Sequence, residues 1–271
     1  MSVGASARNL TLDYDILHAI LEEHGEGPAY FNVGYAKSLC QDFAARQEQL
    51  VREVLDAAEL RPEHRLADVG FGSGEQDFFA AAHYPFARLD GFNTSARQVQ
   101  KAQARVDKLG LGKRLRFHHQ PAEAMSALTD HSVDRVIAVE SAPHFDRPRF
   151  YAEAARVLVP GGRMVLADIA LAPWLSHAAQ RGDDDLRRMG DQRSNRSLWE
   201  KHFRTRSVRN INRNTLPGCQ QSVFVALRIL PRVTNPVHRR HALNLAVFAQ
   251  IMATALLVSA FRYDLVVLER P

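Results

Sequence analysis

The chain has 271 residues, 46% hydrophobic and 24% charged, which suits one packed domain with an insertion and excludes a disordered or fibrous chain. Its net charge of +5 is unevenly placed: residues 1–171 carry 19 basic and 23 acidic side chains, and residues 172–240 carry 14 and 5. That excludes a uniformly basic nucleic-acid-binding surface and leaves one basic segment. Two cysteines, Cys40 and Cys219, make neither a disulfide framework nor a zinc motif, and no signal-like apolar run opens the chain, so a cytoplasmic location is expected.

Residues 13–23 set Ile16, Leu17, Ile20 and Leu21 on one helical face, stopped by Gly25-Glu26-Gly27-Pro28. The aromatic stretch Tyr30-Phe31-Asn32-Val33-Gly34-Tyr35 leads to a second helix over 41–60. From Arg65 short apolar runs alternate with helices: strands are predicted at 66–69, 88–92, 114–118, 134–139 and 163–169, with a long helix over 95–109. This rhythm implies right-handed crossovers and a parallel sheet covered on both faces. Residues 171–200 break it and read as a cap, with Asp183-Asp184-Asp185 a solvated face; 205–211 and 263–268 read as two more strands. Over 242–260, 15 of 19 residues are apolar, enough to span a bilayer. Asn244, Gln250, Thr254 and Ser259 interrupt the run and a strand follows at once, so a helix lining the back of the sheet is expected in place of an integral span. A dimer-forming helix is the alternative.

Asp68-x-Gly70-x-Gly72-x-Gly74 stands between the first strand and its helix. Glycines there let the backbone turn tightly and bring amide donors against a ligand. A dinucleotide loop would read G-x-G-x-x-G; here the third glycine comes one residue early and an acid precedes the first. That spacing suits a ligand carrying a carboxylate and an ammonium, such as the methionine end of S-adenosylmethionine, with Asp68 on the ammonium side. Asn93 and Thr94, just past the second strand, stand where such a sheet places a ribose, and Ala122 and Glu123, after the third, where an adenine edge lies.

The loop, combined with Leu158-Val159-Pro160-Gly161-Gly162, resembles the class I S-adenosylmethionine-dependent methyltransferases. The likeness runs over about residues 30–170 and is closest to small-molecule enzymes of secondary metabolism and lipid modification. It implies an α/β fold: a Rossmann-like seven-stranded mixed sheet, parallel with one antiparallel strand, under an N-terminal helical lid and a cap insertion. The implied divisions are a lid over 1–60, a cofactor-binding core over 61–170, a cap and substrate region over 171–240, and the last helix and closing strand over 241–271. It further implies that Tyr30, Phe31 and Tyr35 close over the cofactor's methionine end and that Gln98 helps hold it. Two departures stand out: Asn93 replaces the usual ribose acid, and Pro121 the usual acid beside the adenine.

Glu140 and His144 follow the fourth strand and Asp168 ends the fifth, so all three are expected at the carboxyl edge of the sheet, where ligands of open parallel sheets bind. A histidine titrating near neutral pH suits removal of a proton from a hydroxyl or acidic carbon. On this reading His144 is the base, Asp168 orients its ring and Glu140 is the next candidate; a packing histidine and a structural glutamate are the plainer alternatives. No metal site is expected. Pro143 stands where cyclopropane-forming lipid enzymes carry a glutamate, which counts against that activity. The expected reaction is methyl transfer to oxygen or carbon of a small, largely apolar metabolite walled by Phe203, Leu216, Phe224, Leu227 and Phe248. Arg187, Arg188, Arg193, Arg196, Arg204, Arg206, Arg209 and Arg213 could meet an anionic group on it, or simply face solvent. Competing readings are a fold-sharing cyclase or rearrangement enzyme, and an RNA-binding methyltransferase; aromatic–basic interleaving of an RNA-binding kind is missing, so no nucleic-acid partner is expected.

Overall fold

A computed structural model describes residues 3–25, 27–38, 40–175 and 184–271, with side chains from residue 11 onward in the first stretch and from 187 onward in the last. In chain order the elements are α1 (Val3–His24), α2 (Phe43–Ala58), β1 (Arg65–Val69), α3 (Glu75–His83), β2 (Arg88–Asn93), α4 (Ala96–Leu109), β3 (Leu115–His119) and β4 (Val133–Val139). Then come α5 (Arg147–Val157), β5 (Leu158–Leu171), α6 (Asp184–Met189), α7 (Gln192–Trp199), β6 (Arg204–Asn210), α8 (Asn212–Ile229), α9 (Pro236–Leu257) and β7 (Phe261–Glu269).

Local signals explain the ends of the helices that frame the site. Asp42 caps α2 by accepting from the Ala45 amide at 2.7 Å, and Ser95 caps α4 by accepting from the Gln98 amide at 3.1 Å. Gly110, at φ 66°, ends α4 in the left-handed conformation that glycine adopts without cost.

The seven strands run β3-β2-β1-β4-β5-β7-β6. β1 to β5 are mutually parallel, and β7 is antiparallel to both β5 and β6, as the resemblance implies. Strand order reverses between β1 and β4, so the crevice beyond their carboxyl ends is the ligand position of such a sheet. One core layer packs α2 residues Leu50, Val54 and Leu55 against one face; the other packs Phe150, Tyr151 and Trp199 against the opposite face.

The region after β5 differs from the sequence reading. Residues 171–240 are not a cap throughout, because β6 is the edge strand of the sheet and α8 packs on α2 and α9. Arg204, Arg206 and Arg209 lie along that exposed edge, where charge discourages further strand pairing, and this accounts for part of the basic excess. The cap residues 176–183 lie outside the described residues, and so do the side chains of the acidic run. Helix α9 packs chiefly on α8 and α1, and the C-terminal half also meets β7, where Met252, Ala253 and Leu256 join the core of the sheet. It buries Ala246, Ala249, Met252, Ala253 and Leu256 and exposes Leu243, Val247, Phe248, Ile251 and Leu257. By length and composition α9 could cross a membrane, but β7 begins four residues later and pairs on both sides within the sheet.

Candidate active site

A cleft of about 660 Å³, part of it open to solvent, lies beyond the carboxyl ends of β1, β2 and β4. Its floor is the turn after β1, with Gly70, Phe71 and Gly72, and the first turn of α3, with Gln76. One wall is Asn93, Thr94, Ser95 and Gln98; the other is Val139, Glu140, Ser141, His144 and Phe145. Thr11 and Tyr14 of α1, with Phe31 of the following loop, form the roof.

The floor depends on its glycines. Gly70 and Gly72 have φ of 73° and 60°, left-handed values that side-chain-bearing residues rarely take. A Cβ on Gly70 would overlap the Ser141 side chain, and one on Gly72 would stand 2.7 Å from Phe31 Cδ2. Gly74, at φ 82°, is the N-cap of α3, with its carbonyl accepting from Asp77 and Phe78; it is a helix-start residue outside the cleft.

Asp68 departs from expectation. It is wholly buried and does not line the cleft; Gln76, which does, donates its Nε2 to Asp68 Oδ2 at 2.5 Å. Burial pushes the Asp68 carboxyl up to about 6. On the wall, Asn93 Nδ2 donates to Gln98 Oε1 at 2.7 Å and Asn93 Oδ1 accepts from the Ser95 amide at 3.0 Å. Gln98 Nε2 is buried with no partner.

Glu140 sits at φ 58° just past β4. Its Oε1 accepts from the Val33 amide at 2.8 Å and from the Tyr263 hydroxyl at 2.7 Å, while its Oε2 takes neither donor. Burial raises its carboxyl to about 7. His144 Nε2 stands 3.0 Å from the Tyr14 hydroxyl. Asp168 does not orient the His144 ring: both its oxygens face the Arg147 guanidinium, at 2.7 and 2.9 Å.

Other expected residues also lie elsewhere. Tyr30 and Tyr35 belong to the core beside α2, with the Tyr35 hydroxyl accepting from Arg209 at 3.1 Å, so Phe31 alone of the three faces the cleft. Ala122 is packed under β4, and Glu123 accepts from the Asp146 amide at 2.7 Å, so neither lines the cleft. The expected arginines do not converge on it: Arg196 pairs with Glu200, Arg206 with Glu269 and Arg209 with Glu53, and among the described residues no arginine or lysine lines it. Of the expected wall residues, Phe203 is core, Leu216 packs against core, and Phe224, Leu227 and Phe248 are exposed to solvent.

Residues 67–166 match the family model described as a methyltransferase domain. The erythromycin 3''-O-methyltransferase of Saccharopolyspora erythraea is 33% identical over 159 residues, 58% of this chain and 51% of that protein. The chain therefore spans about half the length of that relative. The O-methyltransferase cnsE of Penicillium expansum is 30% identical over 203 residues, covering 70% of this chain and 71% of that protein. The chain belongs to the class I S-adenosylmethionine-dependent methyltransferases. Among solved structures, the 4+2 cyclase SpnF superposes with a TM-score of 0.79 at 20% identity, covering 97% of this chain and 95% of that one, a likeness of fold.

The cleft of this family member fits S-adenosylmethionine on its own features. The Gly70–Gly72 turn leaves open backbone that a Cβ would close, and the unpartnered Gln98 Nε2 supplies a donor for a ribose hydroxyl. Among the described residues no group of His, Cys, Asp and Glu could hold a metal.

Among the cleft residues outside the expected set are Thr11, Tyr14 and Gln76. The signal for the first two was present. Thr11, Tyr14, Asp15 and His18 recur at helical spacing, forming a second stripe beside the apolar one. In the fold this stripe faces the cleft: Thr11 reaches Thr94, Asp15 accepts from Ser95 Oγ at 2.6 Å, and His18 lies edge-on to Phe31. Gln76 had no such signal, being one polar residue in a short helix.

Proposed function

We propose that the chain transfers a methyl group from S-adenosylmethionine to a hydroxyl oxygen of a small, largely apolar metabolite. The observation that carries this reading is the single cleft in which the glycine turn and Gln98 stand opposite Glu140 and His144. The Saccharopolyspora erythraea and Penicillium expansum relatives, both named for O-methyl transfer, support oxygen over carbon. When bound, S-adenosylmethionine supplies an electrophilic methyl group. Gly70, Gly72, Phe31, Asn93 and Gln98 hold it, and the α1 roof excludes water.

Transfer to a hydroxyl is an in-line displacement, so holding the two partners in line accounts for most of the acceleration, about 7–11 kcal/mol in favourable cases. The acceptor must also lose a proton. With Nε2 unprotonated, His144 accepts from Tyr14; an acceptor hydroxyl that takes Tyr14's place delivers its proton to the same nitrogen. Such a base contributes roughly 100- to 10,000-fold. Glu140 Oε2, on the same wall, accepts a hydrogen bond from a second donor group on the acceptor.

The divisions that follow from this reading are a roof over 1–60 and a core from β1 to β5 that holds both the cofactor and, through Glu140 and His144, the acceptor. Incubating the purified protein with S-adenosylmethionine labelled in its methyl group and a panel of hydroxylated apolar metabolites tests the reaction. Label in an ether product supports it. Label on carbon, or cofactor binding with no transfer to any hydroxyl, overturns it.

A further inference from the structure

Beneath the floor of the cleft lies a second carboxylate that the reaction does not use. Asp77, in the first turn of α3, is wholly buried, and neither of its carboxylate oxygens has a partner among the hydrogen bonds of the fold. Asp68, also wholly buried, has Oδ2 on Gln76 and Oδ1 unpartnered. The two carboxyls are within hydrogen-bonding reach of each other, and no other charged group bears on either. The nearest charged pair on α3, Glu75 with Arg105 at 2.7 Å, is closed on itself on the outer side.

Two carboxylates in contact away from water cannot both be ionised. One keeps a proton and donates it to the other, which satisfies atoms that otherwise have no donor. The Gln76 NH2 donates to Asp68 while neither oxygen of Asp77 has a donor, so the negative charge is the better stabilised on Asp68 and the proton resides on Asp77, whose carboxyl burial and the adjacent Asp68 push up. Asp68 is then an acceptor at both oxygens: Oδ1 toward Asp77 and Oδ2 toward Gln76. Because an ionised carboxylate accepts only, the end of the Gln76 amide that meets Asp68 must be its NH2. The carbonyl end is thereby fixed as the group that Gln76 offers to the cleft it lines.

We propose that Gln76 Oε1 is the direct acceptor for the cofactor's ammonium group, and that Asp77 is a positioning residue which, through Asp68, locks the Gln76 amide in that orientation. This rests on the cofactor assignment above and deepens it. Asp68, the acid of the glycine motif, acts from below the floor by orienting Gln76 and by setting a negative charge behind a neutral acceptor. An ammonium with three donors is matched by a carbonyl oxygen backed by that charge.

The test is calorimetric binding of S-adenosylhomocysteine and of its analogue lacking the amino group. Asp77→Asn keeps a donor aimed at Asp68 and is expected to bind S-adenosylhomocysteine within twofold of the parent. Asp77→Leu removes the donor, and Gln76→Met keeps the bulk with no carbonyl; each is expected to bind at least tenfold more weakly. The analogue should bind the parent and Asp77→Asn at least tenfold less tightly than S-adenosylhomocysteine does, and Gln76→Met almost equally. Thermal melts establish which variants are folded; Asp77→Leu is bulkier than aspartate and leaves buried Asp68 without a donor, so Gln76→Met carries the test should it unfold. The inference is overturned if Gln76→Met binds like the parent or discriminates between the two ligands as the parent does. It is equally overturned if Asp77→Asn falls with Asp77→Leu. A parent that binds neither ligand removes the cofactor assignment itself, an outcome distinct from the other two.

Discussion

Arg147 and Asp168 meet side by side inside the protein, both almost fully buried, with Nη1 on Oδ2 at 2.7 Å and Nη2 on Oδ1 at 2.9 Å. The pair joins the start of α5 to β5, and the Arg147 Nε reaches the Arg188 carbonyl at 3.1 Å. The neighbouring carboxylate holds the guanidinium charged against the cost of its burial. A bidentate pair of this kind is rigid and directional.

Breaking it leaves a buried charge without compensation. Asp168→Asn is therefore expected to cost about 3–5 kcal/mol of stability, read as a lowered denaturation midpoint, with the pH dependence of turnover unchanged. A variant of normal stability whose pH–rate profile had shifted would return Asp168 to the role of orienting His144.

At Gly72 the φ of 60° and the 2.7 Å approach of Phe31 to a built Cβ act together. Gly72→Val forces a β-branched residue into the left-handed region, about 1–3 kcal/mol of strain, and drives Phe31 from the roof. Calorimetry should show affinity for S-adenosylhomocysteine lost while circular dichroism shows the fold retained. Unchanged affinity removes this turn from the cofactor site.

How far the sequence carried the reading varies by region. Apolar runs such as Leu66-Ala67-Asp68-Val69 marked the central strands, because a strand buried on both faces has little other composition available to it, whereas the edge strand β6 showed only as alternation. The glycine turn was equally legible, since left-handed positions select for one residue. Tyr30, Phe31 and Tyr35 were not separable: an aromatic in a loop looks the same whether it packs on α2 or over a cleft. The main packing partner of helix α9, α8, was not legible, because a helix apolar on most sides gives no direction to its buried face. The Arg147–Asp168 and Gln76–Asp68–Asp77 contacts join residues whose sequence separation and type announce nothing.

His144→Ala is expected to lower kcat by roughly 100- to 10,000-fold with S-adenosylhomocysteine affinity within twofold of the parent. A base works in its unprotonated form, so the parent loses activity as pH falls through the titration of the ring, and this acidic limb disappears in the variant. Tyr14→Phe keeps the base but removes the hydroxyl 3.0 Å from it, so a smaller loss with the acidic limb retained is expected. Full activity in His144→Ala across pH would make the histidine structural and leave Glu140 as the base.

Glu140 also leaves a mark on stability. Its folded-state carboxyl is raised from 4.5 to about 7, so across that window the folded protein keeps a proton that the unfolded chain has released. The contribution is complete below the unfolded value and is lost as pH rises through the folded one. Relative to Glu140→Gln, which has no proton to lose, the parent should become progressively less stable from pH 4.5 to pH 7. Thermal melts of both proteins across that range read the difference; a parallel pair of curves would show that the carboxyl is already ionised in the fold.

The last prediction concerns α9. Leu243, Val247 and Ile251, four residues apart, form an exposed stripe, while Ala246, Ala249, Met252, Ala253 and Leu256 are buried. If α9 is a helix of the folded domain, the stripe contributes little to stability, and replacing all three residues by glutamine should shift it by no more than about 0.5 kcal/mol at each position. Ala253→Asp, by contrast, puts a carboxylate into the packed face with no cation opposite it and should unfold the protein or lower its midpoint steeply. A bilayer-spanning α9 predicts the reverse weighting, because the exposed stripe would then be the lipid-facing surface and three glutamines would expel it. Spanning would also draw β7 away from β5 and β6, between which its residues 261–269 are paired. Ultracentrifugation without detergent, together with melts of the two variants, decides between them. Recovery of the parent only in the membrane fraction, released by detergent and not by salt, would place α9 in the bilayer and remove β7 from the sheet.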